Sequence, residues 1–512
     1  MRKIYIAVLL CFVGILTGRA QVEMCTEGQL TSSSGDHTPL WLNANRYGLS
    51  SLDLTNGYLR VGAFHSMDAD SLRQWAVGYG ADVAVAGGFT SRLVVQQAYV
   101  DVRWKKGLLS VGSKERQMEL KNQRLSSGSQ TFGINARPIP QVRVEMPDYW
   151  QVPGLKGWLG LKGHLAYGLT TDDKWQKEFT DDLSRRTEHV MYHSKAGYMK
   201  IGPGSVNVEF GLEMACEFGG KGFNIDNGGK TPVTIKNESN LKSFYHALIP
   251  GGTDPTDSSF VNSEGNHLGS WVIRLNIDQP TWNLGLYADQ FFEDHSQMFH
   301  ISFNGYGLGD EQGERKKNRY FVYDFKDWML GAELHLKQTP WLSHVVLEYL
   351  YTKYQGGPVY HDHTANISEH ICGNDKYYNH NIFTGWQHWG QVMGNPLYLS
   401  PLYNKDGQIM VENNRFVAWH AGIDGQLHES LAYRVLATWQ RGYGTYDKPY
   451  IDPEENVSLM AEAEYRFPAS SKLNGWAVKG AVALDRGKIY GDNTGFQLTV
   501  SRRGMLNLKK KK

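Results

Sequence analysis

Three clusters in the second half of the chain carry the residue types that chemistry uses. Glu293-Asp294-His295 follows Phe291-Phe292 and sets two carboxylates beside an imidazole, the ingredients of acid–base catalysis. Adjacent side chains project differently, so the two carboxylates need not face one substrate. The competing reading is a polar loop anchor above two packed phenylalanines. His361-Asp362-His363, with His370, His380 and His388 beyond, raises the question of a metal site. No carboxylate or thiol stands at a diagnostic ligand spacing, so neither metal nor cofactor is expected. Tyr377-Tyr378-Asn379-His380 and Trp386-Gln387-His388-Trp389-Gly390 read better as saccharide chemistry. Flat rings cover the apolar C–H face of a sugar while Asn, Gln and His satisfy its hydroxyls. The candidate glycan contacts are Glu293, Asp294, His295, Tyr377, Tyr378, Asn379, His380, Trp386 and Trp389. Gln355-Gly356-Gly357-Pro358 and Gly394-Asn395-Pro396 are turns with restricted backbones, scaffold rather than contact.

These clusters need a frame, and the chain's periodicity supplies one. Val206, Val208, Phe210, Leu212, Met214 and Cys216 alternate with Asn207, Glu209, Gly211, Glu213 and Ala215. Leu431, Tyr433, Val435, Ala437 and Trp439 alternate with Arg434, Thr438 and Gln440 in the same way. Segments of about 10 residues with a period of two are what tilted membrane-crossing strands require. A soluble sandwich shows the same alternation, but its strands are shorter, about 5–6 residues. Eighteen strands are expected near 21–31, 57–68, 73–86, 92–104, 107–114, 140–148, 157–170, 191–202, 205–218, 268–277, 282–292, 327–338, 343–354, 414–425, 431–442, 457–467, 475–485 and 493–501. This count places every long connection at one end and tight Gly/Pro turns, such as Gly202-Pro203-Gly204-Ser205, at the other. The expected fold is all-β, an 18-stranded antiparallel transmembrane barrel with long external loops partly filling the lumen. In that setting the aromatic clusters either meet glycan at the barrel mouth or pack on themselves as a plug.

Arg2 and Lys3 precede an apolar run from Ile4 to Leu16 and a small-x-small pattern at Gly18-Arg19-Ala20. Residues 1–20 are therefore expected to be a cleaved signal peptide, 21–502 the barrel, and 503–512 a basic tail. The expected location is the outer membrane, with long loops extracellular and both termini periplasmic. Basic and acidic residues balance at 53 and 52, which gives nucleic acid no electrostatic reason to bind. Cys25, Cys216 and Cys372 form too sparse a set for a disulfide framework. The 28 Tyr and 15 Trp suit a membrane interface, where a ring has one wet and one apolar edge. Neither a GxSxG element nor a Gly-rich phosphate loop occurs.

Several stretches, taken in order, resemble the Wzi capsule-assembly outer-membrane barrel family. They are Pro39 to Gly48, Gln97-Ala98-Tyr99-Val100-Asp101, Asn135 to Pro140, Phe291 to Gln297, Glu348-Tyr349 with Thr352 to Pro358, Tyr377 to His380, and Gly394-Asn395-Pro396-Leu397. The resemblance implies an 18-stranded barrel whose outer face binds exported capsular polysaccharide without catalysis. It also implies outer-membrane lipid and capsule export machinery as partners, and a monomer. Enterobacterial members carry a periplasmic helical domain before the barrel, for which residues 21–56 leave no room. The chain also runs past Phe496 to Leu506-Asn507-Leu508 instead of ending on an aromatic residue. Two other functions stay open at this level: a saccharide porin with an open lumen, and a surface hydrolase using Glu293, Asp294 or Glu348.

Overall fold

A computed structural model describes residues 21–67, 74–251, 264–293, 300–306, 315–321, 326–361 and 370–507. Its main body is one 18-stranded sheet: β1 (Gln21–Ser34), β2 (Thr55–His65), β3 (Trp75–Gly87), β4 (Leu93–Trp104), β5 (Gly107–Ser113), β6 (Gln141–Gln151), β7 (Leu159–Leu169), β8 (Met191–Ile201), β9 (Val206–Phe218), β10 (Asn266–Asp278), β11 (Trp282–Glu293), β12 (Trp328–Leu336), β13 (His344–Tyr351), β14 (Phe416–His428), β15 (Leu431–Gly444), β16 (Pro449–Arg466), β17 (Trp476–Gly487) and β18 (Asn493–Asn507). Each strand pairs antiparallel with the next. β18 returns to β1 over a register running from Gln21↔Asn507 to Ser34↔Thr494, so the sheet closes.

Period-two alternation becomes an inside and an outside. Leu59, Val85, Val144 and Val482 point outward at 71%, 64%, 59% and 54% exposure. Their neighbours on the opposite face include the buried Gln29, Asp82, Asp289, Glu348 and Gln497. An apolar belt around a polar interior reverses the pattern of a soluble barrel and suits a hydrocarbon solvent. Trp75, Trp104, Trp158 and Trp341 stand exposed at the short-turn end, where a ring of amphipathic aromatics marks a membrane interface.

The expected strands all occur, and two ends differ by more than three residues. β16 starts at Pro449 rather than near 457, because its hairpin with β15 pairs up to Gly444↔Pro449 beyond the barrel wall. β18 continues to Asn507, since β1 offers partners as far as Gln21. Residues 503–507 are thus strand rather than tail.

Connections 35–54, 114–140, 170–190, 219–265, 294–327 and 352–415 leave one end, while the other carries short turns such as 202–205 and 279–281. The long ones divide between two places. Helix α1 (Leu40–Asn43) lies inside, with Leu40 N donating to Asp485 Oδ2 at 3.0 Å and Trp41 Nε1 to Thr438 Oγ1 at 3.1 Å. Segment 114–140 also descends into the lumen. By contrast, residues 241–248 lie against the outer wall. There, a helix over Leu241–Leu248, capped by Asn240 accepting from Ser243 N at 3.0 Å, covers Cys216, Phe218 and Tyr167.

Candidate functional site

The upper lumen is built where three segments meet: the end of β11, the connection 114–140, and the connection 375–415. Barrel-wall carboxylates organise it. Glu348 on β13 accepts from Ser126 Oγ at 2.6 Å, Ser127 N at 2.8 Å and the Tyr287 hydroxyl at 2.5 Å. Asp289 on β11 accepts from Lys121 Nζ at 2.7 Å and Gln130 N at 3.1 Å, with both members of the ion pair essentially sealed from solvent. Burying such a pair is tolerable because each charge faces its opposite and the Gln130 amide adds a second bond to the same carboxylate oxygen. The 114–140 segment is therefore tied to the wall at several heights.

The 375–415 connection lies on top of this layer. Its Tyr377 and Tyr378 pack edge-on to Phe291, with ring centroids at 4.8 and 5.2 Å. Tyr378 N donates to Glu293 Oε1 at 2.6 Å, and the Tyr377 hydroxyl donates to Asp327 Oδ2 at 3.1 Å. Clusters 291–293 and 377–396 thus meet at one mouth of the barrel. The Tyr378 hydroxyl donates to the Gln130 carbonyl and accepts from Asn395 N at 3.0 Å. Trp386 stacks on Tyr192 and donates Nε1 to the Thr131 carbonyl at 2.9 Å. Asn379 makes a two-way pair with the Val411 backbone, at 2.9 and 2.8 Å.

This geometry corrects most of the candidate glycan contacts. Tyr377, Tyr378 and Trp386 are at most 1% exposed, and Glu293 and Asn379 are also buried. A ring enclosed on both faces cannot cover a sugar, and the hydroxyls are already engaged within the protein. These residues form the plug core. Trp389 differs: its ring is part-exposed, held by the Arg137 guanidinium 4.3 Å from the centroid and by Nε1 donating to Thr171 Oγ1 at 3.2 Å. His380 is also at the margin, its Nδ1 accepting from Ile382 N at 3.1 Å. Burial drives its imidazole down to about 3, so it stays neutral at physiological pH. Asp294 and His295 lie outside the described residues, as do Asp362 and His363. Among the described residues no group of three or more His, Cys, Asp or Glu is arranged to hold a metal.

Of the motifs expected as turns, 356–358 is strand, while Gln355 and Gly394-Asn395-Pro396 are tied into the packed layer. Gln355, in the left-handed region at φ 47°, donates N to Asp327 Oδ2 at 2.6 Å and Nε2 to the Asn414 carbonyl at 2.9 Å. Gly357 lies in the short strand Gly356–His361. A Cβ at Gly394 would overlap the Tyr378 hydroxyl and the Gln130 carbonyl, so only glycine allows this close approach. Asn395 donates Nδ2 to Ser127 Oγ at 3.1 Å and the Gly128 carbonyl at 2.9 Å, while Pro396 is buried beside it. Sequence reading missed Ser126, Ser127, Gln130, Asp289 and Asp327. Their signal was weak, because each gains a role only through a partner far along the chain.

A closed barrel of 18 antiparallel strands with an apolar belt and a polar, loop-filled interior is an outer-membrane β-barrel. The family model of capsule assembly protein Wzi matches residues 42–310, more than half of the chain, and the chain belongs to that family. Among solved structures it is similar to Wzi of Escherichia coli, described as an outer membrane protein involved in group 1 capsule assembly and a carbohydrate-binding β-barrel. That likeness has TM-score 0.56 at 13% identity, covering 97% of this chain and 87% of that one. OprD of Pseudomonas aeruginosa follows at TM-score 0.46 and 11% identity, covering 96% and 95%. OccK5 (OpdH) of the same organism gives 0.45 and 8%, covering 95% and 98%. No curated protein matches the sequence.

Proposed function

We propose that this barrel binds capsular polysaccharide at its long-loop end and holds it on the cell, without cleaving it. In this reading the long connections are extracellular, both termini are periplasmic, and the barrel works as a monomer. The observation that carries the proposal is the packed upper lumen in a chain of the capsule-assembly family. Loops that fill the mouth with buried aromatics leave a rigid outer platform rather than a path for diffusing solutes. Trp389, braced by Arg137, is the aromatic best placed to meet a sugar ring, and His380 is a second part-exposed group on the same connection. Tyr377, Tyr378, Asn379 and Trp386 support that platform from beneath.

Non-catalytic action is favoured by the state of the candidate carboxylates. Glu348 is enclosed by three donors, and Glu293 is buried under Tyr378. The test pairs capsule retention in a deletion strain with polysaccharide binding by the purified barrel. Retention should fall and the barrel should bind the polymer without shortening it. Normal retention together with no binding would overturn the proposal.

A further inference from the structure

Below the plug the lumen is not filled. A cavity of about 410 Å³ lies between the lowest part of segment 114–140 and the wall made by β1, β2 and β15–β18. That volume falls within the range of small-ligand pockets, about 300–1,000 Å³. Strand direction places it near the short-turn end: Arg434 and Lys479 follow shortly after β15 and β17 begin there, and Glu462 lies just before β16 ends there. Arg124, its side chain 45% exposed, stands at the opening.

The charges of this cavity do not balance locally. Glu462 is approached by four cations: Arg434 Nη2 at 3.1 Å, Lys479 Nζ at 3.5 Å, and Arg46 and Arg124 at 4.0 Å each. Two further carboxylates line the cavity: Glu27, which already accepts from the Tyr58 hydroxyl at 2.5 Å, and Glu464, which stands opposite Lys479 and holds Arg466 Nε at 2.5 Å. Across the cavity Arg60 is shared by two carboxylates, Asp82 and Glu115. With Glu464 matched by Arg466, Glu462 and Glu27 face four cations on this wall, and the Arg60 side across the cavity carries one carboxylate in excess. Arg46 Nε and Arg434 Nε are, moreover, buried donors with no hydrogen-bond partner among the described residues. The outer guanidinium edges of Arg46 and Arg434, at 15% and 16% side-chain exposure, match a carboxylate or phosphate. The remaining lining adds a part-exposed tyrosine ring at Tyr47 and an exposed amide at Gln117, groups suited to a sugar's C–H face and hydroxyls.

We propose that this lower-lumen cavity is a binding site for a sugar bearing an oxyanion, a carboxylate or a phosphate, that enters from the short-turn end. The site is distinct from the outer platform and faces the opposite side of the membrane. The cations surrounding Glu462 hold the anion, and Tyr47 and Gln117 receive the ring.

Calorimetry on the purified full-length barrel in detergent tests it, with glucuronate, glucose 1-phosphate, glucose, inorganic phosphate and chloride as separate probes. Saturable binding of glucuronate or the sugar phosphate, weakening as salt rises, is expected. Whichever acid binds tighter identifies the substituent. Arg434→Gln and Arg46→Gln should each weaken binding roughly tenfold, as expected for loss of one charge-assisted contact. Lys479→Met, which removes no backbone contact, guards against misfolding of the arginine variants and should weaken binding by a smaller factor. Heat-modifiable gel mobility confirms that each variant is a folded barrel. No saturable binding, equal binding of glucose, or unchanged affinity in folded variants would overturn the site. Inorganic phosphate or chloride binding as tightly as the sugar acids would reduce it to an adventitious ion only, and overturn the saccharide assignment.

Discussion

Glu348 and Glu462 both stand on inward faces of the barrel, yet their surroundings are opposite in kind. Glu348 meets only neutral donors supplied by Ser126, Ser127 and Tyr287, and no water reaches it. Glu462 meets four cations beside an open cavity. The upper lumen is thus closed by directional hydrogen bonds between loop and wall, which fix one arrangement of the loops. The lower lumen is left to charge, which attracts over distance and tolerates water and exchange. Closure and binding are assigned to different heights of one barrel.

The largest change should follow from removing the upper filling. Deleting residues 355–413 should raise single-channel conductance in planar bilayers by an order of magnitude or more, because a barrel of 18 strands otherwise leaves an aqueous channel. Unchanged conductance would mean that segment 114–140 seals the lumen alone. Next comes Lys121→Met, which leaves Asp289 charged and buried with its main partner gone. The expected loss is about 3–5 kcal/mol of stability, read from urea unfolding of the barrel in micelles. Restoring neutrality with Asp289→Leu in the same chain should recover much of it. A loss near zero would place water where the ion pair has been described.

A pH experiment sharpens the contrast further. Burial pushes the Asp327 carboxyl from 3.8 up to about 6, although it accepts from Tyr354 N, Gln355 N and the Tyr377 hydroxyl. A raised carboxyl favours the protonated folded loop, so its contribution is greatest below about pH 4 and is lost as pH rises through 6. His380, lowered to about 3, works the other way: acidification below its ordinary 6.5 opposes folding. The difference between wild type and Asp327→Asn in protease protection of the 375–415 connection isolates the carboxyl. It should vary between pH 4 and 6 and be constant above. The smallest structural effect belongs to Trp389→Ala, with less than about 1 kcal/mol lost at a part-exposed ring. Polysaccharide binding should nevertheless weaken several-fold. Equal binding would move the glycan surface elsewhere on the loops.

Strand count, order and the sidedness of the loops were all legible in the residues. Alternation is a local property, and a strand that is polar on one face needs no distant information to declare itself. The 291–293 and 377–396 clusters could also be assigned to one mouth, because strand parity alone sets the end from which a connection leaves. The fate of the aromatic residues was not legible. A tyrosine that stacks on sugar and one that packs a plug have the same local sequence, and the alternatives differ only in what lies across the lumen.

What the sequence alone determined was the frame: period-two segments with apolar faces outward and turns alternately short and long. Those features depend on neighbours a few residues apart. Only the tertiary structure decided the roles of Tyr378, Trp386 and Glu462. Tyr378 is occupied by Gln130 and Trp386 by Thr131, partners more than two hundred residues away in the chain. Glu462 gathers cations from two strands and two loops. Burial and net local charge are sums over everything that closes around a residue, and the closing of the barrel supplies those terms.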